Sequence, residues 1–141
     1  MNVEIKTMTM RHYDAVLSLW SSSPGVHVQM PSDSRASIAR YLRRNRRMSL
    51  VALHGRKIVG ALLVGHDGRR GLLHHLAVDN SHRRQGVARQ MVNEATARLK
   101  AVGVDKAWIV VLAGNAAGRD FWKSMGWNEY ADSVIAGKEL R

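Results

Sequence analysis

The 141-residue chain contains no cysteine, two prolines, one phenylalanine and half as many acidic residues (11) as basic ones (22). Without cysteine there are no disulfides, no thiolate metal ligands and no cysteine nucleophile. Such a composition fits a reducing compartment. The prolines, Pro24 and Pro31, fall in one segment, so chain-breaking is confined to a single loop. No apolar run approaches the roughly 20 residues that cross a bilayer. The opening Met1-Asn-Val-Glu-Ile-Lys6 has no apolar leader core. These features lead us to expect a soluble, cytoplasmic protein with no membrane partner.

What is present is enough for one globular domain over residues 1–141, with 45% hydrophobic residues to fill its core. The net charge of +11 predicts attraction to polyanions: a phosphorylated cofactor, nucleic acid, the ribosome or an acidic peptide. Arg40, Arg43, Arg44, Arg46 and Arg47 crowd one short stretch. They read either as a solvated helix face or as a binding surface.

Periodicity sets out the elements. Val3 and Ile5 alternate with polar residues as a first strand. Thr9 can cap a helix with Tyr13, Val16, Leu17 and Trp20 on one face. Residues 21–33 form a loop, after which Ser32 or Ser34 opens a helix with Ile38, Tyr41 and Leu42 inward. Strands follow at 50–53, 58–64 and 72–78, joined by turns at His54-Gly55-Arg56 and Asp67-Gly68. They should form an antiparallel meander. Helix 87–102 carries Ala88, Met91, Val92, Ala95, Leu99 and Val102 at helical spacing, and Gly103 ends it. Strand 107–112 should lie parallel to strand 72–78, because a helix separates them. Asn115 caps a helix running to Met125, and Val134 and Ile135 suggest one or two last strands.

The densest chemical signal is Leu76-Ala-Val-Asp-Asn-Ser-His-Arg-Arg-Gln-Gly-Val-Ala-Arg89. A strand runs into a basic, glycine-containing turn and then a helix N-terminus, which together bind anions through unpaired N–H groups and the helix dipole. Gly86 lets a phosphate approach the backbone, and Arg83, Arg84 and Arg89 add full charges. The site suits a pyrophosphate. No Gly-Lys-Ser/Thr follows, and GxGxxG is absent, so neither a Walker A loop nor a dinucleotide fingerprint is present.

Arg83/Arg84/Gln85 followed by Gly86-Val87-Ala88 resembles the coenzyme A loop of the GNAT superfamily of N-acetyltransferases. Asn115-Ala-Ala-Gly-Arg-Asp-Phe-Trp-Lys-Ser-Met-Gly-Trp127 resembles that family's C-terminal signature. The element order matches the family from end to end. The resemblance implies an α/β (α+β) GNAT fold, with a mixed, mostly antiparallel sheet flanked by about four helices. It also implies a V-shaped splay between strands 72–78 and 107–112. Acetyl-CoA would be the co-substrate, held by Leu76, Ala77, Val78, Arg83, Arg84, Gln85, Gly86, Val87, Ala88 and Arg89. Asn115 would act as a cap and as a contact to the pantetheine arm. Trp122 stands where the family usually has a tyrosine, the general acid for the departing thiolate. An indole N–H only donates, so Trp122 would pack against the arm or belong to the core.

The family mechanism is direct attack of an amine in a ternary complex, with a backbone N–H of Leu76–Val78 as oxyanion donor. The family's strand glutamate falls at Leu72, and neither central strand carries a carboxylate before Asp79. Strand alternation puts His74 on the face of Leu72 and Leu76, and His75 on the other. His74 is the candidate general base. The alternative makes both histidines scaffold and gives the proton to a water chain. Adjacent histidines on a strand point apart and have no Cys or carboxylate cluster beside them, so no metal is expected.

Trp20, His27, Gln29 and Met30 are candidates for acceptor recognition. The expected activity is acetyl-CoA-dependent N-acetyl transfer to a primary amine of a small molecule or peptide, by a monomer or homodimer. The competing reading is a catalytically weak GNAT-like module whose basic face binds nucleic acid or the ribosome.

Overall fold

Branched and aliphatic residues dominate 50–78, and that stretch builds the centre of a five-stranded sheet. The computed structural model describes residues 2–141 and divides them into two compact units, one ending at Val110 and the other running from Val111 to Arg141. In the first unit β1 (Glu4–Thr7) precedes a 3-10 turn at Met10–His12, then α1 (Tyr13–Ser21) and α2 (Arg35–Arg44). The meander is β2 (Leu50–His54), β3 (Lys57–His66) and β4 (Gly71–Val78). A 3-10 turn at Asn80–His82 leads into α3 (Val87–Ala101), and β5 (Ala107–Ile109) completes the unit. The sheet order is β1-β2-β3-β4-β5, antiparallel except for the parallel β4–β5 pair.

Two apolar layers cover this sheet. On one face Tyr13, Val16 and Trp20 of α1 and Ile38 of α2 pack with Val51, Ala61, Leu63 and Ala77. On the other face α3 buries Met91, Val92, Ala95 and Leu99. Glycine lets that helix approach closely: a Cβ on Gly60 would stand 2.7 Å from Met91 Cε, and one on Gly71 would stand 2.8 Å from Leu99 Cδ1. Each fully buried aliphatic side chain contributes about 1.5–3 kcal/mol.

The punctuation follows the sequence. Ser34 Oγ accepts the Ser37 N–H at 3.2 Å and starts α2. Asp67 Oδ1 accepts from the N–H groups of Arg69 (2.8 Å) and Arg70 (2.7 Å) and closes the β3–β4 hairpin. Gly103, at φ +88°, stops α3. In the second unit, α4 (Ala116–Ser124) is capped by Asn115, whose Oδ1 accepts the Gly118 N–H at 3.0 Å.

Two expectations need correction. The strand expected at 107–112 is ordered as a strand only over Ala107–Ile109. No strand forms after α4 among the described residues, and Val134 and Ile135 are exposed. Two apolar residues between Ser133 and Ala136-Gly137 are too short a run to form a ladder.

Candidate active site

The parallel ladder between β4 and β5 holds only three residue pairs: Gly71 with Ala107, Leu72 with Trp108, and Leu73 with Ile109. From His74 onward β4 continues to Val78 with no β5 partner. The sheet splays at that point and leaves the β4 edge open.

A bulge in β4 lies at the head of the splay. Ala61 pairs with Ala77 and Leu63 with His74, so two steps on β3 match three on β4. His75 absorbs the extra residue in a left-handed conformation, φ +55°. The bulge overturns the alternation expected for the two histidines. Both rings point to the α1/α2 side, with centroids 6.3 Å apart. His74 meets Tyr41 edge-on at 6.0 Å. His75 meets Trp20 at 4.9 Å, and its Nε2 lies 2.9 Å from Asp33 Oδ2. Trp20 Nε1 donates to the His75 carbonyl at 2.8 Å. Ala77 belongs to the α1/α2-side core, so Leu76 no longer shares the His74 face.

His74 reaches the wall of a cleft of about 620 Å³, together with Tyr41, Leu72 and Trp108 and with Arg69 and Arg70 at its rim. Burial pushes the His74 imidazole below its ordinary pKa, and the neighbouring His75 adds to the effect, while Asp33 opposes both. A lowered pKa keeps the ring neutral near pH 7, able to accept a proton. Tyr41 moves the other way: burial raises its phenol to about 12, so it stays protonated. Lys106 Nζ sits 4.9 Å from the centre of the Trp108 ring.

At the far end of β4 the chain turns through Asp79 to the start of α3. Asp79 accepts from Lys57 Nζ at 3.2 Å and Ser81 Oγ at 2.8 Å. His82 is buried against His54, with Nε2 and Nδ1 3.2 Å apart. Arg83 Nε donates to the Val78 carbonyl at 3.3 Å. Arg84 (φ +63°) and Gly86 (φ +80°) both take the left-handed conformation that curls a loop around an anion. The first α3 bond runs from Gln90 N–H to Gly86 O at 3.0 Å, which leaves the N–H groups of Val87, Ala88 and Arg89 without a helical partner. Val87 is buried and anchors the helix end, Ala88 is partly covered, and Arg83, Arg84, Gln85, Gly86 and Arg89 are exposed. Three guanidinium groups, three such N–H groups and a positive helix end suit a pyrophosphate.

In the second unit Asn115 caps α4, and Trp122 is buried against Phe121 (5.3 Å) and Trp127 (5.0 Å). Among the described residues no three His, Asp or Glu side chains are grouped to hold a metal ion. Trp20, expected among the acceptor contacts, is fully buried and serves the bulge instead. Of the other acceptor candidates, Gln29 donates its N–H to Asp33 Oδ2 at 3.0 Å, and His27 and Met30 are exposed. Asp33 and Tyr41 were missed as neighbours of the histidines. The one available signal was Asp33 itself, a carboxylate closing the loop ahead of an arginine-rich helix.

The acetyltransferase (GNAT) family matches residues 13–127. An acetyltransferase of Pectobacterium atrosepticum is 28% identical over 138 residues, which is 98% of this chain and 96% of that protein. The crystal structure of Ard1 from Thermoplasma volcanium superposes with a TM-score of 0.79 at 17% identity, covering 93% of this chain and 86% of that one. The PaiA N-acetyltransferase of Thermoplasma acidophilum, solved in complex with coenzyme A, gives a TM-score of 0.77 at 14% identity and 89% coverage of both chains.

Proposed function

This chain belongs to the acetyltransferase (GNAT) family, and from that membership we propose that it transfers the acetyl group of acetyl-CoA to a primary amine of a small molecule or peptide, by direct attack in a ternary complex. The observation that carries the proposal is the end of the β4–β5 ladder at Leu73 and Ile109. The open β4 edge leads straight into the loop and the α3 N-terminus. One substrate can therefore be gripped by its phosphates at one end and by main-chain hydrogen bonds along its arm.

In this reading Arg83, Arg84, Gln85, Gly86, Val87, Ala88 and Arg89 hold the pyrophosphate. The backbone of Leu76, Ala77 and Val78 pairs with the pantetheine arm and offers an N–H to the thioester oxygen. The amine enters from the cleft on the α1/α2 side, where His74 is held neutral. Its lone pair adds to the thioester carbonyl, the C–S bond breaks, and the sulfur leaves with the bonding pair. His74 takes the proton from the nitrogen. The thiolate, of ordinary pKa about 8.5, takes its proton from water. Tyr41, half-buried and protonated, packs edge-on against the His74 ring and helps to orient it.

Release of free thiol from acetyl-CoA over a panel of primary amines tests this. Amine-dependent release is expected, and its loss in His74→Ala would follow. No release with any amine would overturn the reading.

A further inference from the structure

The coenzyme A loop uses Arg83, Arg84 and Arg89 and leaves a second basic surface unexplained. No Asp or Glu occurs between Asp33 and Asp67, a span that carries Arg40, Arg43, Arg44, Arg46 and Arg47. All five are exposed. Among the described residues none of them, nor Arg69, makes an ion pair; the paired arginines are Arg35, Arg70, Arg98, Arg119 and Arg141.

Part of this surface borders the His74 cleft. Tyr41 and Asn45 of the α2 segment line the cleft, and Arg40 and Arg44 form the adjoining helical row, each one residue before a lining residue. On the other side, the β3–β4 hairpin brings Arg69 and Arg70 to the rim. Asp67 is the one carboxylate on the cleft wall, and it is bound to the hairpin's own N–H groups. Arg40 to Arg44 spans about 6 Å of helix, and the hairpin extends the charge across the cleft mouth.

We propose that the acceptor is an acidic polypeptide segment, whose amine enters the cleft at His74 while its carboxylates pair with Arg40, Arg44 and Arg69. The proposal rests on the acetyl-transfer reading and names its substrate class. Charges on both sides of the mouth fit a chain carrying several carboxylates better than a small amine carrying one. Nucleic acid also carries repeated negative charge. Its exocyclic amines are delocalised into the bases and are poor nucleophiles, which sets nucleic acid aside as the acceptor even though the exposed Trp108 lines the cleft. An acidic peptide supplies a basic alkyl amine and the anions in one molecule.

The test is steady-state acetylation of three peptides that share their first residue and differ only in an acidic, neutral or basic tail. Glutamate and a small aminophosphonate serve as anionic amines, and an RNA oligomer as competitor. The acidic peptide is expected to have a kcat/KM about tenfold above the neutral one at low salt, with the gap closing as salt rises. Arg44→Glu with Arg69→Glu should remove that preference mainly through KM, and Arg40→Glu alone should reduce it in the same direction. Equal rates for all three tails would overturn the proposal and leave acetyl transfer standing. So would small anionic amines matching the acidic peptide, or RNA binding these arginines while no tail is preferred. Absence of turnover with every amine would remove acetyl transfer and this proposal together.

Discussion

Asp33 Oδ2 lies 2.9 Å from His75 Nε2, across 42 residues of sequence, and ties the start of α2 to the bulge in β4. The same carboxylate oxygen accepts the Gln29 N–H, and the Asp33 carbonyl accepts the Tyr13 hydroxyl at 2.6 Å. With Trp20 on the His75 carbonyl, these bonds hold a strand residue in a conformation that costs it about 1–3 kcal/mol. Asp33→Ala leaves the Gln29 N–H and the partly buried His75 imidazole without their acceptor. It should lower unfolding free energy by about 1–3 kcal/mol. Denaturant titration reads the effect, and an unchanged midpoint would show that the bulge stands without Asp33.

With His74 as the proposed base, the rate should follow its titration. Its pKa in the folded protein lies below 6.5, chiefly through burial. The base is therefore neutral over a wider range than free imidazole, and the acid limb of log kcat should fall below pH 6.5. The unfolded chain binds more protons than the folded one between the two pKa values, so stability should drop as pH falls through that window. His12 shifts in the same direction and adds to the drop. His74→Gln should flatten part of the stability profile and reduce kcat roughly 10²–10⁴-fold. A rate profile that keeps its acid limb in the variant would exclude His74 as the base.

Gly65 keeps the cleft wall in place. A Cβ there would come within 2.8 Å of Tyr41 Cζ and 2.9 Å of Asn45 Cγ. The amide cannot withdraw cheaply, since Asn45 Oδ1 also accepts the His66 N–H at 3.0 Å. Gly65→Ala should cost about 1–3 kcal/mol in thermal or chemical unfolding and raise KM for the acceptor. Unchanged stability would mean that α2 moves freely over the sheet.

Trp122 separates packing from proton delivery. It is buried in an aromatic cluster of its own unit. Trp122→Ala should destabilise by about 3–5 kcal/mol. Trp122→Phe keeps most of the ring packing. It should lower kcat by less than about tenfold, far short of the roughly 10²–10⁴ that loss of a general acid costs. A larger loss in single-turnover measurements would give the indole a chemical role.

Much of this was legible in the sequence because it depends on local rules. Ser34 and Asn115 cap where a hydroxyl or amide is expected to cap, Gly103 stops α3, and Met91, Val92, Ala95 and Leu99 mark its buried face. The basic turn before Val87 was visible as a turn. The bulge at His75 was not. Period-two alternation assumes an unbroken strand, and the bulge is stabilised by Asp33 and Trp20, which are distant in sequence. The short β5 was hidden in the same way, since the ladder partners that extend a strand are not encoded in the strand itself.

The central claim is that a diphosphate-bearing thioester is held at the α3 N-terminus beside the open β4 edge, and calorimetric titration of coenzyme A tests it directly. The wild-type protein should give a saturable heat that weakens with salt. A Cβ at Gly86 meets nothing within 4 Å, so Gly86→Val acts through a backbone at φ +80° that valine resists by about 1–2 kcal/mol. The variant should still unfold cooperatively and bind at least about tenfold more weakly. No heat with the wild type, or equal affinity in the folded variant, would contradict the account.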